Sequence, residues 1–145
     1  MDASIIIKLV VEEPGSTEAR TYLKTLLKGG YALYTVDLAL AECLNAVWKH
    51  AQTHKDLEVE DAKSAVQDLV RIYDSLQVVS ARDLSGDAAD ISLDQNVTVY
   101  DSLYIAAAKK LRIPLYTADQ KLHDISKEIV TSKLLGGSKW STTNP

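Results

Sequence analysis

Three short β-prone runs, Tyr31–Thr35 (YALYT), Leu76–Val79 (LQVV) and Leu115–Thr117 (LYT), are separated from one another by segments with helical signals. Strands divided by helices cannot close as tight hairpins; they return in the same direction and pair in parallel. Short apolar strands without strict alternation are covered on both faces. The chain therefore reads as an α/β protein with a parallel sheet between helices. In such sheets ligands sit beyond the carboxyl ends of the strands, so acids near those ends are the candidates for chemistry.

The helical signals are specific. Ser16, after Pro14-Gly15 and before Glu18, reads as an N-cap, and its helix stops at Gly29-Gly30. Asp37 opens a second helix to about Thr53. Glu58, Glu60 and Asp61 start a third, to Tyr73, with acids at the positive end of its dipole. Ser85 to Asp94 is helical and ended by Asn96; Thr98 to Arg112 is helical and broken by Pro114. Asp119 to Lys127 forms a last helix, and Ile129 to Thr131 a last strand. No repeat or low-complexity linker divides the chain. One domain over residues 1–135 is expected, with a loose tail over 136–145 in which Trp140 is the one docking candidate.

With 145 residues and 46% apolar content, a core needs no staples. Phe is absent, so Tyr, Leu, Ile, Val and the two Trp are left to fill that core. The single Cys43 rules out an internal disulfide and reads as a small buried apolar residue. The absence of a CxxC excludes a zinc ribbon. No basic leader precedes Asp2, and Lys8 interrupts the apolar stretch Ile5 to Val11, so neither a signal peptide nor a membrane span is expected. A reducing, cytoplasmic setting follows as an expectation. The net charge of −4 argues against a broad cationic coat for nucleic acid.

Four acids stand out, each with an ordinary explanation beside the chemical one. Asp101, three residues after Thr98, completes a T-x-x-D capping box, yet it stands at the mouth of a helix that is apolar nearly all round. Asp119 follows a strand in PLYTADQKL; it, or Thr117, is a helix cap, or else its carboxylate lies at the ligand edge of the sheet. Glu42 shares a helical face with Asn45, Lys49 and Gln52, away from Leu40, Leu44, Val47 and Ala51, which describes either a wet face or a cleft wall. Asp2 has no local meaning beside the terminus. His50 and His54 are four apart, but HAQTH lacks the Glu of a zinc-protease helix and reads as two surface histidines. Lys109, Lys110 and Arg112 complement a helix C-terminus. No phosphate-binding glycine loop and no nucleophile elbow is present.

Taken together, MDASIIIKLVVEE, TVDLALAECLNAVWK and YDSLYIAAAKKLRIPLYTADQKL resemble, in order, the motifs of the PIN-domain family, most closely its VapC-type toxins. The resemblance spans positions 2 to 122. It implies a three-layer α/β/α sandwich around a central parallel sheet. It further implies Mg²⁺- or Mn²⁺-dependent endoribonuclease activity, with Asp2, Glu42, Asp101 and Asp119 as catalytic metal ligands and Ser4 and Thr117 as polar supports. A carboxylate set without Cys or paired His suits such hard cations better than Zn²⁺. An RNA substrate, an antitoxin protein that covers the site and a homodimer are the partners it implies. An RNA-processing nuclease without an antitoxin, and a binding module that keeps the fold without the catalysis, are the alternatives. In the family arrangement the first Asp ends a strand, whereas here only Met1 precedes it; Ser4 to Val11 is then a short helix. The β-branched run Ile5 to Val11 would otherwise be the strand, placing Asp2 at the wrong end of the sheet.

Overall fold

The computed structural model describes residues 1–136. Its elements run α1 (Ala3–Ile7), α2 (Ser16–Lys28), β1 (Tyr34–Val36), α3 (Leu38–Lys49), α4 (Val59–Ser75), β2 (Gln77–Val79), α5 (Ala81–Gln95), α6 (Val99–Leu111), β3 (Leu115–Thr117), α7 (Gln120–Ser126) and β4 (Ser132–Leu134), with a π-turn at His50–His54 after α3. The three-layer α/β/α class is borne out. Every strand pairing is parallel, β1 with β2 and β3 with β4. The region after Asp2 is helical, so the run from Ile5 is not a strand.

The strands form two pairs rather than one continuous ladder. Among the described residues, Met1 and Asp2 bridge them. The Met1 nitrogen donates to the Tyr34 carbonyl at 2.8 Å, and the Asp2 N–H donates to the Tyr116 carbonyl at 3.1 Å. Successive residues thus bond to opposite neighbours, as in a central strand. Asp2 then turns the chain into α1, whose Ile5, Ile6 and Ile7 are all buried. A helix of five residues is not stable by propensity; its apolar side chains hold it in the core.

Helix α6 is the buried centre, with Ser102 through Ala108 all inaccessible. It packs on α5, β1 and β3. Thr98 caps it by accepting from the Asp101 N–H at 3.2 Å, the N-cap half of the expected capping box. Asn96, left-handed at φ 52, ends α5.

Several expectations shift. The N-cap of α2 is Gly15, at φ 89; the buried Ser16 hydroxyl instead donates to the Val11 carbonyl and accepts from the Glu13 N–H. Asp37 makes no side-chain cap on α3, because its carboxylate accepts from the Ala81 N–H across the fold. The last strand lies at Ser132–Leu134, not Ile129–Thr131; Ile129 and Val130 are spent on packing against the core. Trp48 is 55% exposed and does not fill the core, whose interior is built from smaller Ile, Leu, Val and Ala side chains. On α3 the buried face is Ala39, Cys43 and Val47, while Leu44 is exposed. The tail and Trp140 lie outside the described residues.

Candidate metal centre

Asp2 is held where the bridging residues leave the sheet. Its Oδ2 accepts from the Thr117 hydroxyl at 2.6 Å, and its Oδ1 from the Ser4 hydroxyl at 2.7 Å and the Ile5 N–H at 3.3 Å. Those hydroxyls are themselves oriented. Ser4 Oγ accepts from the Ala118 N–H at 2.8 Å, and Thr117 Oγ1 from the Asp119 N–H at 2.9 Å. One web therefore fastens α1 to the junction of β3 and α7. Asp2 is 4% exposed, and burial raises its carboxyl well above the usual range against the pull of these donors.

Glu42 projects from α3 beneath α6. The buried Tyr104 hydroxyl donates to its Oε1 at 2.6 Å, satisfying a phenol that has left water. Burial raises the Glu42 carboxyl, the Tyr104 bond lowers it, and the negative charge of Asp101 raises it again. Asp101 sits in the first turn of α6; burial raises its pKa, the Thr98 bond opposes this, and Asp119 adds repulsion that Lys121 partly offsets. Asp119 is exposed at the N-cap of α7, where its Oδ1 accepts from the Leu122 N–H at 3.1 Å, so its capping role is real.

The fold thus brings the acids into one electrostatic chain. Asp119 acts on Asp101, Asp101 acts on Glu42, and both Glu42 and Asp2 act on Tyr104 and Cys43 between them. Among the described residues none of the four takes part in a salt bridge. Nor, as placed, do any three His, Cys, Asp or Glu side chains stand close enough to hold a metal ion between them. The donor chemistry suits a hard divalent cation: carboxylate and hydroxyl oxygens, no thiolate in reach of solvent, and no imidazole. Lys121 partly offsets the charge of Asp101, and the Met1 amine that of Asp2.

Sequence reasoning did not single out Tyr104. The signal was present, since a Tyr inside an apolar helix must find a partner for its hydroxyl. His50 is not a metal candidate: its Nδ1 lies 2.9 Å from Asp56 Oδ1 and its Nε2 3.4 Å from Glu13 Oε2, so carboxylates occupy both ring nitrogens. Cys43 is buried as expected, its thiol directed at the Ala3 carbonyl at 3.6 Å. Burial first, then the charges of Glu42 and Asp2, push that thiol up to about 12. It should therefore resist a soluble disulfide reagent at pH 8 in the folded protein and react within seconds to minutes in denaturant. Fast labelling under native conditions would contradict this packing.

Residues 1–128 match the PIN domain family. The chain is similar to Ribonuclease VapC3 of Pyrobaculum aerophilum, 34% identical over 131 residues, covering 90% of this chain and 96% of that protein. It is also similar to the crystal structure of PAE2754 from Pyrobaculum aerophilum. The TM-score there is 0.66 at 21% identity, over 90% of this chain and 85% of that one, a likeness of fold.

Proposed function

Because this chain belongs to the PIN-domain family, we propose that it is a divalent-metal-dependent endoribonuclease that hydrolyses RNA phosphodiester bonds at the edge formed by Asp2, Glu42, Asp101 and Asp119. The observation that carries this reading is electrostatic. Asp2, Glu42 and Asp101 are each raised by burial, Glu42 and Asp101 by neighbouring acids as well, and no salt bridge neutralises them. A cluster that disfavours its own charge is poised to take up a cation.

In this reading the four carboxylates hold Mg²⁺ or Mn²⁺. When bound, such an ion supplies charge neutralisation at the scissile phosphate and Lewis acidity toward the attacking water. The protein's own part is orientation. Ser4 and Thr117 fix both oxygens of Asp2, and Tyr104 fixes one oxygen of Glu42, leaving the other free to face a ligand. Asp101 is fixed at the start of α6 by the Thr98 cap.

The likeness to Ribonuclease VapC3 supports RNA as the substrate; a toxin role, an antitoxin covering the acidic edge, a homodimer as the assembly and the cytoplasm as the setting complete the reading we propose. No helix among the described residues is long and apolar enough to cross a membrane. The wide placement of the acids favours one other reading, a PIN-like binding module without catalysis. Manganese titration followed by electron paramagnetic resonance separates the two, since a module binds no Mn²⁺ at micromolar concentration.

The direct test is cleavage of a mixed RNA pool in Mn²⁺, Mg²⁺ or EDTA. Cutting that needs the metal, and that falls roughly a hundredfold in Asp101→Asn, is the expected result. Folded protein that cuts in no metal sinks the nuclease reading. Equal cutting by wild type and variant removes Asp101 from the site.

A further inference from the structure

A groove of about 410 Å³ runs between the C-terminal end of α6 and the segment that leads into β4. It lies at the end of the sheet opposite the acids: Pro114 precedes β3 and Thr131 precedes β4, whereas Asp119 follows β3. Ile113, Pro114, Ile129 and Val130 supply apolar walls, and Lys109, Arg112 and Thr131 the polar ones. A concavity of this size, with a few polar groups set in apolar walls, has the make-up of a small-molecule site. None of its lining residues is acidic, in a chain with 20 acidic against 16 basic residues. The groove therefore reverses the sign of the molecule locally.

Its donors are unused. Among the described residues, neither Lys109 nor Arg112 makes an ion pair or a side-chain hydrogen bond. The Thr131 carbonyl accepts from the Leu115 N–H at 2.8 Å, but the Thr131 N–H and hydroxyl have no partner among those residues. The negative end of α6 accounts for cations on that helix. It does not account for the spare donors of Thr131, which belongs to a different segment. Nor does the helix ending call for Arg112, which holds a left-handed conformation at φ 55 that glycine takes at the least cost. A guanidinium forks onto two oxygens of one phosphate, and a lysine adds a point charge.

We propose that this groove binds a phosphomonoester, its phosphate held by Lys109, Arg112 and Thr131 and its flat or aliphatic body laid on Ile113, Pro114, Ile129 and Val130. Two cations match a terminal phosphate, which carries roughly two negative charges near neutral pH. A polynucleotide backbone would instead need a continuing track of cations. The neighbouring basic residues do not provide one: Lys110 Nζ donates to the Asp83 carbonyl at 3.3 Å, and Lys127 pairs with Asp124 at 3.0 Å. A nucleoside 5′-monophosphate carries both parts in one molecule and serves as the probe.

The test is an amide NMR titration of the whole chain with adenosine 5′-monophosphate in EDTA. The amides of Lys109, Arg112 and Thr131 should shift, those of Asp101 and Asp119 should not, and Kd should be about 1 mM or tighter. Arg112→Gln and Lys109→Gln should each weaken binding about tenfold. Raising NaCl from about 50 to about 500 mM should weaken the wild type as well, a reading that needs no variant. No shift at about 10 mM nucleotide, or equal binding by both variants, would overturn the proposal. Adenosine binding as tightly as the nucleotide would also overturn it, since the apolar walls alone would then suffice. An oligoribonucleotide without terminal phosphates binding as tightly would assign the groove to internal phosphodiesters instead. None of these readouts depends on a metal or on RNA cleavage, so the result stands apart from the nuclease reading.

Discussion

Replacing Asp2 by asparagine is expected to lower metal-dependent RNA cleavage by at least about a thousandfold while the protein stays folded. The effect should exceed that at Asp101, because Asp2 is the most deeply held of the four acids. Its two oxygens lie within a web that orders Ser4, Thr117 and the N-terminus of α1. An amide keeps the shape and one acceptor oxygen, so Ile5 or the hydroxyls retain partners, and α1 keeps a competent cap. What it removes is the negative charge and one hard oxygen donor. Single-turnover cleavage, with circular dichroism on the same samples, makes the comparison. Activity within threefold of wild type would remove Asp2 from the chemistry and leave it a structural cap.

The second large effect is thermodynamic and is read without metal. Burial raises the Asp2 pKa from 3.8 to about 6. A folded pKa above the unfolded one means that the folded state binds the proton more tightly. Its stabilising contribution is complete well below pH 3.8 and is lost as pH rises through about 6. In EDTA, wild type should therefore lose about 2 kcal/mol relative to Asp2→Asn between pH 4 and pH 6.5, the variant having no proton to release at this position. The difference cancels the acids common to both proteins and reports Asp2 together with the Met1 amine, which burial lowers to about 6 and the Asp2 charge raises. The neighbours that act on it are the Met1 amine, Thr117, Ser4 and the Ile5 N–H. Saturating Mg²⁺ or Mn²⁺ at pH 7 should then raise the wild-type melting temperature and move the variant little. Urea melts across that pH range provide the reading. Parallel pH profiles would mean that the donors fully compensate the burial.

The two effects share one cause. A carboxylate placed at the end of a sheet and shielded by α1 costs stability in its ionised form, and the same cost favours whatever cation relieves it.

Much of the architecture was legible because it rests on local patterns. Helix boundaries at Gly29, Asn96 and Arg112, the Thr98 cap and the strand at Leu115–Thr117 follow from backbone chemistry that a few residues carry by themselves. The last strand was misplaced because Ile129–Thr131 has the stronger β-prone composition. Which residues pair was settled by where Leu115 and Thr117 lie, and they meet Ser132 and Leu134. The absence of Phe points to Trp48 as a core residue, but α3 turns its Ala39, Cys43 and Val47 face inward and leaves the indole outside. A helical wheel gives spacing along α3; it does not say which side meets α1 and α4.

Of the site, the sequence by itself determined which acids exist and in what order, through motifs shared with a family. It also determined the caps that hold Asp101 and Asp119 at their helix starts, since those bonds span only three residues. Tertiary structure alone decided the rest. Asp2, a candidate in the sequence only through the family motif, is held by Ser4 and Ile5 beside it and by Thr117, 115 positions away, and that last bond exists only in the packed fold. Glu42 looks wet on its own helix and becomes half-buried because Tyr104, 62 positions away, covers it. Burial and mutual repulsion depend on distances through space, and those are set only when the strands and helices pack.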